Sequence, residues 1–165
     1  MVFYDEPIQT VLITCRGHAE VMGRRLNKDN IITVNWHMPA SFKPPLYAIS
    51  IGKDRFSLGL IRSSGCFVVN FMDFSHKDAA QLCGTTTGSH TDKFRETGLS
   101  PVQADRVDCP LLGEALASLE CEVIHEADAG DHVIFIGKVL GSTYAGEGNR
   151  LFHTGNRFVM FEGGG

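Results

Sequence analysis

Apolar and polar positions alternate with a period of two over most of this chain, the pattern of half-buried β-strands. Val11–Cys15 opens the series, and Ile31–His37, Leu46–Ile51 and Cys66–Phe71 follow, the last apolar on both faces. Further on, Ala117, Leu119, Cys121 and Val123 share one face of a strand within Ala115–His125. Asp131–Leu140, with Gly137 as a bulge position, forms a hairpin with it, and Arg157–Phe161 is a final strand. Helical spacing interrupts this pattern at Phe56, Leu60 and Ile61, at Ala79, Leu82 and Cys83, and briefly at Lys93–Arg95. The pattern predicts a mainly β fold, a Greek-key-like barrel of six or seven antiparallel strands with two or three short helices.

Punctuation sharpens the boundaries. Arg16–Asp29, rich in Gly, Arg and Asn, is expected to be a loop or hairpin. The elbow Met38–Pro45 holds three prolines, which fix φ and bias their neighbours to extended backbone. Gly52-Lys53-Asp54 ends a strand and places an N-cap near Lys53 or Asp54 for a helix over about 54–64, with Gly65 as its terminator. Ser75-His76-Lys77-Asp78 reads as a capping box for a second helix that Gly84 ends.

Candidate chemistry concentrates in the stretch from Asn30 to Ser57. Alternation turns Ile32, Val34 and Trp36 to one side and Thr33, Asn35 and His37 to the other. An amide, a hydroxyl and an imidazole on one face suit the edge of a flat polar ligand, although a wet antiparallel strand has the same pattern. Backbone N–H groups at the first helix start, with Lys53, Arg55 and the Ser57 hydroxyl beside them, make an anion site, unless those cations are merely solvated. The hydroxyl-rich loop Thr85–Ser89, leading to Lys93, is a second place that could wrap a phosphate, or a plain surface loop.

Composition bounds the rest. The chain of 165 residues is one domain over 1–165, with a core large enough to need no disulfide or metal. A net charge of −4 without a dense basic cluster argues against nucleic acid. Apolar runs are strand-sized and the start, MVFYDEP, lacks the features of a signal peptide, so no membrane and a cytoplasmic location are expected. The five cysteines are widely spaced; Cys15, Cys66 and Cys121 fall in core patterns, whereas Cys83 and Cys109 flank polar loops where reactivity is worth watching. The seven histidines show no metal-ligand spacing, and no G-x-S-x-G, G-x-G-x-x-G or nucleotide-hydrolysing P-loop motif is present.

Taken in order, N-I-I-T-V-N-W-H at 30–37, S-F-K-P-P-L at 41–46, D-K-F at 92–94 and G-D-H at 130–132 resemble the flavin reductase-like family of FMN-binding split barrels, over about 8–163. The resemblance implies FMN lying along Thr33, Val34, Asn35, Trp36 and His37, with Ser41 of the elbow close by. It places the phosphate and ribityl chain near Ser50, Ile51, Gly52, Lys53, Arg55 and Ser57. The loop residues Thr87, Gly88 and Ser89, with Lys93, complete that set, although relatives often carry serine or arginine where this loop has threonine. His132 is implied to approach the flavin or nicotinamide from the other side, with NADH or NADPH as transient electron donor. Homodimers are usual in the family, with an electron-transfer partner as a further possibility. Two other functions fit the same resemblance: an FMN electron carrier that does not oxidise NAD(P)H efficiently, and a pyridoxamine-phosphate oxidase on a related barrel.

Overall fold

The computed structural model describes residues 6–160. In chain order the elements are β1 (Ile8–Gln9), β2 (Val11–Val21), β3 (Arg24–Val34), β4 (His37–Phe42), β5 (Pro45–Gly52), α1 (Phe56–Ser64) and β6 (Cys66–Phe71). A short 3-10 turn (Phe74–His76) leads into α2 (Lys77–Thr85) and then α3 (Lys93–Thr97). There follow β7 (Pro101–Gln103), β8 (Pro110–Leu112), β9 (Ala117–Ala129), β10 (His132–Tyr144), β11 (Phe152–Thr154) and β12 (Arg157–Val159). Seven of the strands form one antiparallel sheet in the order β3-β2-β6-β9-β10-β5-β4.

That sheet rolls up around a core. Ile32 of β3 and Ile49 of β5 stand towards opposite ends of the ladder, yet both pack in one cluster with Ile13, Leu60, Phe67 and Phe135. The neighbours Leu12 and Ile31 point the other way, into a second cluster with Ala80 and Cys83 of α2 and with Leu99. β2 and β3 are therefore buried on both faces where they meet the helices, and their period-two side chains feed two separate cores.

The elements agree with the expected class, and several boundaries move. Of the two expectations for Arg16–Asp29 the hairpin holds: β2 and β3 run on as a ladder to a two-residue turn at Met22 and Gly23, with φ of 51° and 74°. Two positive φ values are what a tight hairpin needs. The first helix begins at Phe56, after Arg55, with no side-chain cap, and Gly65 ends it at φ 72° as expected. Asp73 caps the 3-10 turn by accepting from the Ser75 N–H at 2.9 Å, whereas α2 opens after His76 with no side-chain cap and continues through Gly84 to Thr85. The hairpin β9–β10 shifts register between Ile136 and Gly137, the expected bulge position. The pair β7–β8 had no sequence signal, and Phe161 and Gly163 lie outside the described residues.

Phe67 is fully enclosed in the barrel cluster, and a Cβ on Gly137 would stand 2.8 Å from its ring. Phe67→Ala is expected to cost about 3–5 kcal/mol in urea unfolding, and Gly137→Ala about 1–3 kcal/mol through overpacking. A Phe67→Ala variant as stable as the parent would contradict this packing.

Candidate flavin site

The rolled sheet does not close. No ladder joins β3 to β5, and a cavity of about 590 Å³ opens in the gap between them. The end of β3 supplies one wall through Asn30, Thr33, Val34 and Asn35, and β5 supplies the facing wall through Ser50, Ile51 and Gly52. Asp54, Arg55, Phe56 and Ser57 bring the start of α1 to the rim, while Cys83 to Gly88 and Lys93 bring the end of α2 and the following loop. His132 enters from β10, where it pairs with Gly52, and His153 and Gly155 enter from the β11–β12 hairpin.

One part of the lining is cationic and rich in donors. Lys93 is 3% exposed, and its ammonium donates to the carbonyls of Ile31 at 2.9 Å and Cys83 at 2.8 Å. No carboxylate pairs with it among the described residues, and burial holds its pKa below the ordinary lysine value. Asp92 caps α3 by accepting from the Arg95 N–H at 3.2 Å, which sets the lysine at the first position of that short helix. Across from it, α1 opens without a side-chain cap, and in its first turn the Leu58 N–H donates to the Arg55 carbonyl at 3.0 Å. Arg55 stands there, half exposed, 3.5 Å from the Asp54 carboxylate.

Another part of the lining is aromatic and polar. Trp36 and His132 lie with ring centroids 4.7 Å apart, tilted by 39°. The Asp131 carboxylate sits 2.7 Å from His132 Nδ1, so an ionised Asp131 accepts from Nδ1–H and leaves Nε2 as the free position on the ring. Asn35 Oδ1 accepts from the Thr10 hydroxyl at 2.8 Å, which fixes its amide.

The model of the flavin reductase like domain matches residues 4–160. The chain belongs to the flavin reductase-like family. An uncharacterised protein of Archaeoglobus fulgidus is 33% identical over 87% of this chain and 76% of its own length. Among solved structures, the NADH:FAD oxidoreductase of Streptomyces globisporus superposes with a TM-score of 0.84 at 26% identity, covering 99% of this chain and 90% of that one. Flavoredoxin of Desulfovibrio vulgaris (Miyazaki F) superposes with a TM-score of 0.83 at 21% identity, over 97% of this chain and 90% of its own, and shows the shared fold.

Within this flavin reductase-like barrel, residues from both stretches expected from sequence to make anion sites line the same cavity. Thr33, Val34, Asn35 and Trp36 line it, as do Ser50, Ile51 and Gly52. So do Arg55, Ser57, Thr87, Gly88, Lys93 and His132. Four expected residues stand elsewhere. β3 ends at Val34, so the alternation that would carry His37 onto the cavity face is broken, and His37 instead opens β4 beside a second, smaller cleft with Gln9, Tyr47 and Phe71. Ser41 pairs with Leu46 on β4, beyond a register shift. Lys53 is paired outward with Asp128 at 2.8 Å, and the Ser89 hydroxyl bonds Thr87 Oγ1 at 3.0 Å. Sequence reasoning also missed His153, whose hairpin carries no motif, and Asn30, a polar side chain opening an apolar run that could have been singled out.

The cysteines change places as well. All five are free and buried. Burial pushes the Cys83 thiol up to about 11 and that of Cys109 well above its usual value. The thiol lowered to about 7 is that of Cys66, through its hydrogen bond with Cys109.

His37 Nε2 lies 2.8 Å from the Gln9 carbonyl, which can only accept, so Nε2 carries the hydrogen and Nδ1 accepts from the Tyr47 hydroxyl at 2.7 Å. Burial lowers this imidazole below its ordinary 6.5. The unfolded chain therefore takes up the proton first: the stabilisation is complete above about 6.5 and is lost as pH falls through the folded pKa. Urea midpoints between pH 7.5 and 5 are expected to drop more for the parent than for His37→Asn, and equal slopes would contradict the assignment.

Proposed function

We propose that this chain is an NAD(P)H-dependent flavin reductase that holds FMN in the cavity between β3 and β5. The observation that carries this reading is the buried Lys93 ammonium, which shares the cavity with the uncapped start of α1 and the Thr85–Gly88 loop. A cation in that setting, with hydroxyls and backbone N–H groups around it, has the donor chemistry that a terminal phosphate requires. FMN supplies the hydride chemistry when bound, accepting electrons from NADH or NADPH, so no side-chain nucleophile is called for.

The residues then have distinct tasks. Lys93, Arg55 and the Ser57 and Thr87 hydroxyls hold the phosphate. Asn35 and Ser50 offer polar groups to the ring edge, and Ile51 and Val34 keep water away from it. His132, oriented by Asp131 and set against Trp36, guides the nicotinamide or flavin. The Streptomyces globisporus relative named as an NADH:FAD oxidoreductase supports a nicotinamide donor and raises FAD as the rival flavin. FMN is preferred because Lys93 and Arg55 line one cavity and the sequence holds no dinucleotide fingerprint. Free flavin, ferric complexes or a partner protein are the electron acceptors in this reading, and the cytoplasm, where NADH and NADPH are held, is its setting. A homodimer goes with it: Trp36, Met38 and Phe42, exposed by 40%, 59% and 93%, lie on or beside the edge strand β4.

Purified protein reconstituted with flavin is expected to be yellow, to release FMN on denaturation, and to bleach on anaerobic addition of NADH or NADPH. A yellow protein that stays yellow with both donors would overturn the reductase reading, and recovery of FAD alone would overturn the choice of flavin. Lys93→Met is expected to weaken FMN binding by about tenfold to a hundredfold and to leave riboflavin binding nearly unchanged. Light scattering at micromolar concentration is expected to give twice the chain mass.

A further inference from the structure

Asn30 lies at the inner end of the cavity wall, 2% exposed, and its amide reaches two elements far away in sequence. Nδ2 donates to the Ser57 hydroxyl at 2.8 Å, in the first turn of α1. On the other side the amide lies hard against Gly88: a Cβ there would stand 2.5 Å from Asn30 Cγ and nearer still to Oδ1. Two residues earlier on β3, Lys28 Nζ donates to the Gly88 carbonyl and fastens the same loop. The start of α1 and the loop after α2 have no covalent reason to keep a constant distance; Asn30 touches both, and Lys28, whose Nζ also lies 5.7 Å from the centre of the Phe56 ring in α1, supports it from the same strand.

We infer that Asn30 is a positioning residue that clamps the first turn of α1 and the Thr85–Ser89 loop at one spacing, and that this spacing makes the site selective for a flavin carrying a terminal phosphate. The inference rests on the FMN reading. Gly88 belongs to the same device, because only a residue without a side chain lets the loop close onto the Asn30 amide.

The test pairs hydrogen exchange of the flavin-free protein with FMN and riboflavin affinities for the parent, Asn30→Ala, Asn30→Asp, Gly88→Ala and the Asn30→Ala/Gly88→Ala double variant. Asn30→Ala is expected to speed amide exchange about tenfold in both the start of α1 and the 85–89 loop, and to cut the preference for FMN over riboflavin about tenfold. Asn30→Asp keeps the contact with the bond reversed, its carboxylate accepting from the Ser57 hydroxyl, so its exchange stays near the parent's while its charge lowers FMN affinity alone. Gly88→Ala lowers the FMN preference by a similar factor, and the double variant is no worse than Gly88→Ala, because either change releases the same clamp. Faster exchange confined to one segment, an unchanged FMN preference in Asn30→Ala, or fully additive losses in the double variant would overturn the inference. A parent that binds riboflavin as tightly as FMN would instead overturn the proposed function, and the exchange data alone would then decide whether Asn30 clamps the two segments.

Discussion

Enclosing the Lys93 ammonium costs several kcal/mol in lost hydration, and the protein meets that cost with backbone carbonyls rather than a carboxylate. The two carbonyls belong to Ile31 on β3 and Cys83 on α2, and the lysine itself opens α3. A single lysine thus binds three elements together, and among the described residues no carboxylate pairs with it beside the cavity. Much of the local architecture follows from keeping it there. Thr33 donates its hydroxyl to the Ala80 carbonyl at 2.6 Å, which holds α2 against β3 near where Cys83 meets the lysine.

β3 carries the consequences along its length. Ile32 and Val34 belong to the barrel core, Ile31 belongs to the core under the helices, and Asn30 and Lys28 reach out to α1 and to the loop after α2. A strand buried on one face alone could not do this. With both faces covered, successive residues act on different elements, so a change at one position of β3 is felt on one wall of the cavity and a change at the next on another.

The missing ladder between β3 and β5 is what turns a barrel into a binding site. A closed sheet of this size fills its interior with side chains, and the barrel cluster does so around Phe67 and Phe135. Where the ladder is absent, the backbone of β5 and the N-terminus of α1 face β3 across open space. Membership of the flavin reductase-like family accords with that geometry, since a flavin is a flat ring with a polar edge and one charged tail.

Period-two alternation was enough to establish a mainly β chain, the hairpin of β9 and β10 and the bulge near Gly137, because each depends on neighbours in sequence. Local signals also located both phosphate-binding candidates, and the ordered motifs from Asn30 to His132 pointed to the family. The hairpin expected as one alternative for Arg16–Asp29 formed, but the length of its arms was not legible, because its turn is Met22-Gly23 rather than an Asn-Gly or Asp-Gly pair and its arms are polar beyond the core. Which residues share the cavity was settled only by the fold. Lys53 and Arg55 look alike in sequence, yet one turns outward to Asp128 while the other lines the site. His37 continues the alternation of Thr33 and Asn35 on paper, but the strand ends at Val34 and the chain crosses to β4 before it arrives. Alternation is a property of continuous backbone. The cavity is built from segments that meet through space, and only the tertiary structure determines where a strand stops and which distant carbonyls are close enough to hold a buried lysine.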